Sequence, residues 1–181
     1  MPIGMGLGLV VPRRGLVGGV RNPHGAGAVA PSTAPTNWTL NNSAGINWSV
    51  VGAGDGYVDL RLSGTASGTS SPSILPESST QIVAALGETW IGTLTTELRA
   101  GTWSPATATI ESGERTSGGS SLTSTSVAVS FSATPTAYQV ARVFNQATVA
   151  RATNALRVSI ANGTVFDATL RFRGFDIVKL D

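Results

Sequence analysis

The sequence contains no cysteine and a single histidine, His24, among its 181 residues. The lack of cysteine excludes a disulfide framework and a thiolate metal site. Residues 37–181 hold no histidine, so this part of the chain cannot assemble a Ser-His-Asp triad. There is no EF-hand loop, and no Gly-Lys-Ser/Thr phosphate loop follows a predicted strand. We therefore expect no metal and no cofactor.

Charge is also scarce, at 12% of residues. The first thirty residues contain no acid, and Arg13, Arg14 and Arg21 supply +3 there. Because the net charge of the whole chain is +2, residues 31–181 carry about −1. A nucleic-acid-binding domain needs a basic face, so we expect no nucleic-acid partner. No stretch approaches eighteen apolar residues, which excludes a predicted transmembrane helix.

The chain begins with a glycine-rich arm, residues 1–21, followed by a linker, residues 22–36, that three prolines stiffen. The arm has too much glycine to fold alone, and its apolar residues favour docking on a partner protein. The predicted anchors are Leu7, Leu9, Val10, Val11, Arg13 and Arg14. A disordered tail is one alternative. A signal peptide is another, although no positive charge precedes the apolar run.

Residues 37–181 read as strands and turns. Val58, Leu60 and Leu62 alternate with Asp59 and Arg61, which is the pattern of a strand with one buried face. Similar runs recur at short spacing, separated by turns rich in glycine, serine and proline. The pattern predicts nine or ten strands, no helix, and an antiparallel β-sandwich of jelly-roll type.

Two pairs of acidic residues are candidates for the catalytic groups of a hydrolase, because glycoside hydrolysis needs two carboxylates across a cleft. Asp55 lies near Asp59 in a glycine-rich turn, where a short acid stabilises its own backbone. Glu111 and Glu114 flank Gly113 and are interpreted as an exposed hairpin tip. We therefore predict no enzyme activity.

Tryptophan and arginine supply the candidate binding residues. Indole rings stack on the C–H faces of sugars, and Trp48, Trp103 and Trp38 are the candidates for such contacts, while Trp90 is expected in the core. Structural packing is the alternative for each ring. Arg171 and Arg173 point outward on a late strand, which fits either a subunit interface or a solvated sheet face.

Four segments of residues 37–181 resemble the carbohydrate-binding-module-type jelly rolls of tailed-phage structural proteins. They are Asn37-Trp38-Thr39-Leu40, Gly87 through Ala100, Thr134 through Gln139, and Phe166 through Leu180. The glycine-rich start followed by Pro-Arg-Arg is similar to short arms on virion proteins of phages and related gene transfer agents.

This resemblance implies a non-enzymatic virion structural protein: a fibre, spike or decoration subunit on a head or tail. Its arm would attach to other virion proteins, and its sandwich would face the host and contact surface polysaccharide. Self-association as a trimer or ring is expected, with assembly in the bacterial cytoplasm. The alternatives are a secreted carbohydrate-binding module and, if one pair of acids lines a cleft, a glycan depolymerase.

Overall fold

The computed structural model describes residues 19–180 as two packed antiparallel sheets of five strands each. Sheet 1 has the order β1-β4-β9-β6-β7, and sheet 2 has the order β2-β3-β10-β5-β8. The strands are β1 (Thr39–Asn41), β2 (Ile46–Gly54), β3 (Tyr57–Thr65), β4 (Ser73–Leu75), β5 (Thr89–Gly101), β6 (Thr107–Arg115), β7 (Ser121–Val129), β8 (Thr136–Val143), β9 (Arg151–Ser159) and β10 (Val165–Leu180). The predicted all-β jelly-roll sandwich is confirmed.

The core lies between the two sheets because every second side chain points inward. Val58, Leu60 and Leu62 are fully buried, while Arg61 on the same strand is exposed, as the alternation predicts. A second, smaller cluster closes one end of the sandwich and consists of Val20, Ile82, Ala84, Trp90, Phe144, Ala152 and Ile177. Within residues 19–180, no helix is long and apolar enough to span a membrane.

Strand β10 unites two runs that the sequence separates. Phe166–Phe172 and Phe175–Leu180 predict two strands, but the structure contains one strand with a register shift between Phe172 and Gly174. Phe172 and Phe175 are three residues apart, so a regular strand would place them on opposite faces. The extra residue of the bulge lets both stay buried.

Residues 19–24 lie beside the second half of β10, where this central strand extends beyond its pairing with β3. The Val20 amide donates a hydrogen bond to Asp176 Oδ1 (2.8 Å), and the Phe175 amide donates one to the Pro23 carbonyl (2.8 Å). Val20 is 7% exposed within the second cluster. Arg21 forms an ion pair with Glu77, at 2.8 Å between Nη2 and Oε1. This segment is therefore fixed to the sandwich at several points.

The rest of the predicted linker also packs on the sandwich. The Trp38 indole Nε1 donates to the Asn22 carbonyl (2.7 Å), and the Val50 amide donates to the Pro31 carbonyl (3.1 Å). Gly25 is buried so closely against Val58 that a Cβ there would lie 2.5 Å from Val58 Cγ1. Residues 22–36 thus differ from a solvated tether. The predicted anchors at positions 7–14 lie outside the described residues.

Candidate functional site

The tryptophans proposed to contact sugars lie in or against the core. Trp38 and Trp48 are each 6% exposed, and Trp38 packs edge-on against Phe172 and Phe175. Trp48 shares the inward face of β2 with Ile46 and Val50. Its place in that alternation could have predicted its burial. Neither ring has a face free for a ligand.

Trp103 and Trp90 complete the set of indoles. Trp103 is half-buried, with its ring centroid 4.1 Å from that of Phe131 and 5.4 Å from that of Phe166. It covers the edge of the core and keeps part of its surface exposed. Trp90 is 1% exposed, which confirms its predicted place in the core.

Arg171 and Arg173 belong to an ion-pair network on the outer face of sheet 2. Arg171 binds both carboxylate oxygens of Asp59 at 2.7 and 2.8 Å and lies 3.8 Å from the centre of the Tyr57 ring. The hydrogen bonds with Asp59 raise the pKa of Arg171 above its usual range. Arg173 Nη2 donates to Glu97 at 2.9 Å. The charged groups of this face are therefore paired with one another within the chain. The role of Arg171 and Arg173 in a subunit interface stays a prediction.

The acidic residues proposed as possible catalytic pairs lie in different environments. Asp55 is an exposed turn residue, as predicted, whereas Asp59 is held by Arg171 in β3. The predicted exposure of Glu114 is wrong, because Glu114 is fully buried in β6. The β6–β7 turn is closed by the hydrogen bond between the Thr116 amide and the Ser120 carbonyl, so Gly113 lies within the strand.

Glu111 and Glu114 lie on opposite faces of β6, because they are three residues apart in a strand. Glu114 points between the sheets and accepts hydrogen bonds from Arg142 Nε (2.7 Å) and the Gln146 amide (2.8 Å). Glu111 points outward and binds Arg157 Nε at 2.5 Å. Among residues 19–180, no group of three potential metal-ligating side chains is placed to hold an ion.

The outer surface of β6 and β9, here called the β6–β9 face, lies on the opposite side of the sandwich from the ion-pair network. Five cross-strand pairs lie along it: Thr107/Ser159, Thr109/Arg157, Glu111/Ala155, Gly113/Thr153 and Arg115/Arg151. The neighbouring strand β7 adds exposed small side chains, Ser124, Ser126 and Ala128. Nine residues of strand give the face a length of about 30 Å. The face is therefore long. Its middle, at Gly113, Thr153 and Ala155, is buried, and its exposed side chains lie toward the end at Thr107, Arg157 and Ser159.

A groove of about 300 Å³ lies at one end of the β6–β9 face. Its polar lining consists of Ser71, Thr107, Thr109, Arg157 and Ser159. Hydroxyl groups both donate and accept hydrogen bonds, while the guanidinium adds donors. Such a lining can bind a polyhydroxylated ligand.

Another cavity, of about 440 Å³, lies where residue 19 meets the sandwich and is lined in part by Ile82, Val83 and Trp90. Its charged groups are paired with one another: Arg21 with Glu77 at 2.8 Å, and Lys179 with Glu88 at 3.1 Å. Burial raises the pKa of Glu77, but hydrogen bonds from Arg21 and Ser78 outweigh it, and the pKa lies below its usual value. These charges stabilise the fold at this end.

No family model matches the chain, and no curated protein matches it. The similarities are to solved structures. A carbohydrate-binding module of family 4 aligns at 10% identity with a TM-score of 0.51, covering 89% of this chain and 99% of the module. A tailspike domain from bacteriophage CBA120 aligns at 10% identity with a TM-score of 0.52, covering 79% of this chain.

Enzymes also contain this architecture. An arabinose-bound α-L-arabinofuranosidase aligns at 16% identity with a TM-score of 0.61 over 90% of this chain. A Fischerella cyclase aligns at 9% identity with a TM-score of 0.57 over 91% of this chain. The chain spans only 26% of the arabinofuranosidase and 19% of the tailspike domain. At these identities the likeness establishes only the fold, a β-sandwich that carbohydrate-binding modules and these enzymes share.

Proposed function

We propose that this protein is a non-enzymatic glycan-binding module and that the β6–β9 face is its binding surface. The observation that carries the proposal is the overlap with a carbohydrate-binding module over 99% of that module's length. The aligned region thus has the extent of a whole module of that kind.

The two sheets differ in the polar groups that they leave available to a ligand. The outer face of sheet 2 engages Arg61, Arg171 and Arg173 in ion pairs. The β6–β9 face instead offers exposed hydroxyls and the groove at Arg157. It has no aromatic platform, so each site binds through hydrogen bonds and is expected to be weak. Several copies on one particle would compensate through multivalency.

The test is binding of the full chain to a panel of neutral and acidic polysaccharides, measured by affinity electrophoresis and calorimetry. We expect Arg157→Ala to weaken binding about tenfold, since a hydrogen bond from a charged group contributes about 1.5 kcal/mol or more. The matched control is Arg61→Ala, which removes a similarly exposed arginine from sheet 2. Equal effects of the two substitutions would contradict the assignment of the surface.

We further propose that the module is carried on a phage or gene-transfer-agent particle. The similarity to a phage tailspike domain supports this setting, as does the apolar, acid-free stretch that precedes the sandwich. Residues 1–18 would contact capsid or tail proteins, since residues 19–21 of the predicted arm are held by the sandwich, and copies would associate as a trimer or ring around the attachment point. The sandwich would then present the β6–β9 face to host surface polysaccharide.

This second proposal is tested with particles that lack the protein. The full chain is compared with a chain beginning at Gly19, which retains every contact described above. We expect only the full chain to bind particles, and both to bind host cells that carry the polysaccharide. If the two chains bind particles equally, residues 1–18 are not the anchor.

A further inference from the structure

Two arginines on the β6–β9 face lack the acidic partners that the other lysine and arginine side chains of the described residues have. Residues 19–180 contain ten lysine and arginine side chains, and eight of them form ion pairs within the described chain. The exceptions are Arg115 and Arg151. They lie directly opposite each other on β6 and β9. Like charges at paired positions are unfavourable, and neither arginine has an acidic partner among residues 19–180 to offset this.

The same location contains three buried donors without a hydrogen-bond partner. They are Arg115 Nε, Arg151 Nε and Thr153 Oγ1. Thr153 is only 3% exposed, and it follows Arg151 by two residues, so both side chains lie on the outer face of β9. Buried polar groups in native proteins almost always have partners. Three such donors on one small area indicate a ligand that accepts hydrogen bonds.

No acid in the described chain neutralises this pair. The one carboxylate whose charge acts on Arg115, Glu111, is bound to Arg157 at 2.5 Å. Burial and the charge of Arg157 lower the pKa of Arg115, and Glu111 only partly opposes this. The local excess of positive charge therefore favours an anion over a neutral ligand.

We propose that Arg115, Arg151 and Thr153 form a binding site for the anionic group of an acidic polysaccharide. A guanidinium presents parallel N–H donors that match the two oxygens of a carboxylate or sulfate. The polysaccharide chain would continue along β9 to the groove at Arg157. This groove is about 20 Å from Arg151, because the two arginines are six strand residues apart. The inference rests on the proposed glycan-binding function and specifies its ligand class.

The experiment compares polygalacturonate with its methyl ester, which has the same backbone without the charge. Dextran sulfate forms a third arm, because a sulfate ester offers the same oxygens. Binding to the full chain is measured by calorimetry at two salt concentrations. The variants are Arg115→Gln, Arg151→Gln, the double substitution, and Thr153→Val. Arg61→Gln, on the opposite sheet, controls for the change in net charge.

We expect the wild-type protein to bind at least one acidic polymer and to bind the methyl ester at least tenfold more weakly. Each arginine substitution should weaken acidic binding about tenfold or more, and Thr153→Val about threefold, consistent with the strength of charged and neutral hydrogen bonds. Arg61→Gln should have less than a twofold effect. Whether polygalacturonate or dextran sulfate binds identifies the anionic group.

Thermal unfolding separates a binding role from a structural one. Removing one of two opposed like charges should leave the unfolding temperature of Arg115→Gln unchanged or higher. A lower temperature together with unchanged affinity would overturn the proposal, as would equal binding of polygalacturonate and its methyl ester. Binding of neutral glycans alone would overturn this inference and leave the proposed function intact. Binding of no glycan would refute both.

Discussion

At the residue scale, Glu114 shows how a buried charge is accommodated. Its carboxylate is fully buried, and Arg142 Nη2 lies 2.6 Å from Oε1. Backbone amides of Asn145 and Gln146 donate to Oε2 at 3.1 and 2.8 Å. Because β6 and β8 belong to different sheets, this ion pair joins the two layers. A charge without such partners would be too costly to bury.

Glu114→Gln should therefore reduce the free energy of unfolding by about 3 kcal/mol, because it leaves Arg142 without its counter-charge. Equilibrium unfolding in urea measures the change. Glu111→Gln provides the control on the same strand, since its ion pair with Arg157 lies on the outer face. That substitution should cost less than about 1 kcal/mol. Equal costs would mean that the cross-sheet pair contributes no more than a surface pair.

Single residues also mark what the sequence could not predict. Gly113 between two glutamates is typical of a turn, yet it lies inside β6 opposite Thr153. The pairing partner decides between the two, and that information is not local. Arg115 and Arg151 are 36 positions apart, so their juxtaposition follows from the register of β6 and β9 alone. The tryptophans were ambiguous for another reason: a ring that packs and a ring that binds have the same local sequence.

At the scale of elements, alternation predicted the strands well because one face of each sheet is buried. Val58–Leu62 and Phe166–Phe172 carry this signal clearly, and both are strands with the predicted faces inward. The bulge at Phe172 and Gly174 was not predicted, since it interrupts the two-residue alternation of buried and exposed side chains. The edge segment at residues 19–24 was missed because Val20 is its one deeply buried side chain.

Glu77 connects that edge segment to the sandwich in a pH-dependent way. Burial raises its pKa, but the hydrogen bonds from Arg21 and Ser78 lower it further than burial raises it. A folded-state pKa below the unfolded value contributes stability above the unfolded pKa, which is about 4.3 for glutamate. This stability is lost as the pH falls through the lowered folded-state value.

Glu77→Gln should therefore lower the unfolding temperature at pH 7 and change it less at pH 3. The measurement is thermal unfolding of both proteins across this range. Asp55→Asn makes the same change of charge in an exposed turn and should leave the pH profile close to that of the wild type. A Glu77→Gln profile parallel to the wild-type profile would show that the ion pair adds no pH-dependent stability.

At the scale of the whole molecule, the boundary of the folded unit lies earlier in the chain than composition suggests. Three prolines and several small polar residues predict a tether at 22–36, but its carbonyls accept hydrogen bonds from Trp38 and Val50. Composition describes how a segment behaves alone and contains no information about the surface beside it. In this case that surface includes the edge strand β2 and the part of β10 that extends beyond β3, both of which have backbone groups that need partners.

The position of this boundary can be tested by shortening the chain. A protein beginning at Gly19 should unfold at the same temperature as the full chain, because every described contact is retained.

A protein beginning at Asn37 loses the burial of Val20, worth about 1.5–3 kcal/mol, together with the Arg21–Glu77 ion pair. It also leaves the buried indole Nε1 of Trp38 without its acceptor, the Asn22 carbonyl. These losses sum to several kcal/mol, which corresponds to a decrease in unfolding temperature of roughly 10 °C for a domain of this size. Equal unfolding temperatures for the chains beginning at Gly19 and Asn37 would instead establish residues 22–36 as a tether.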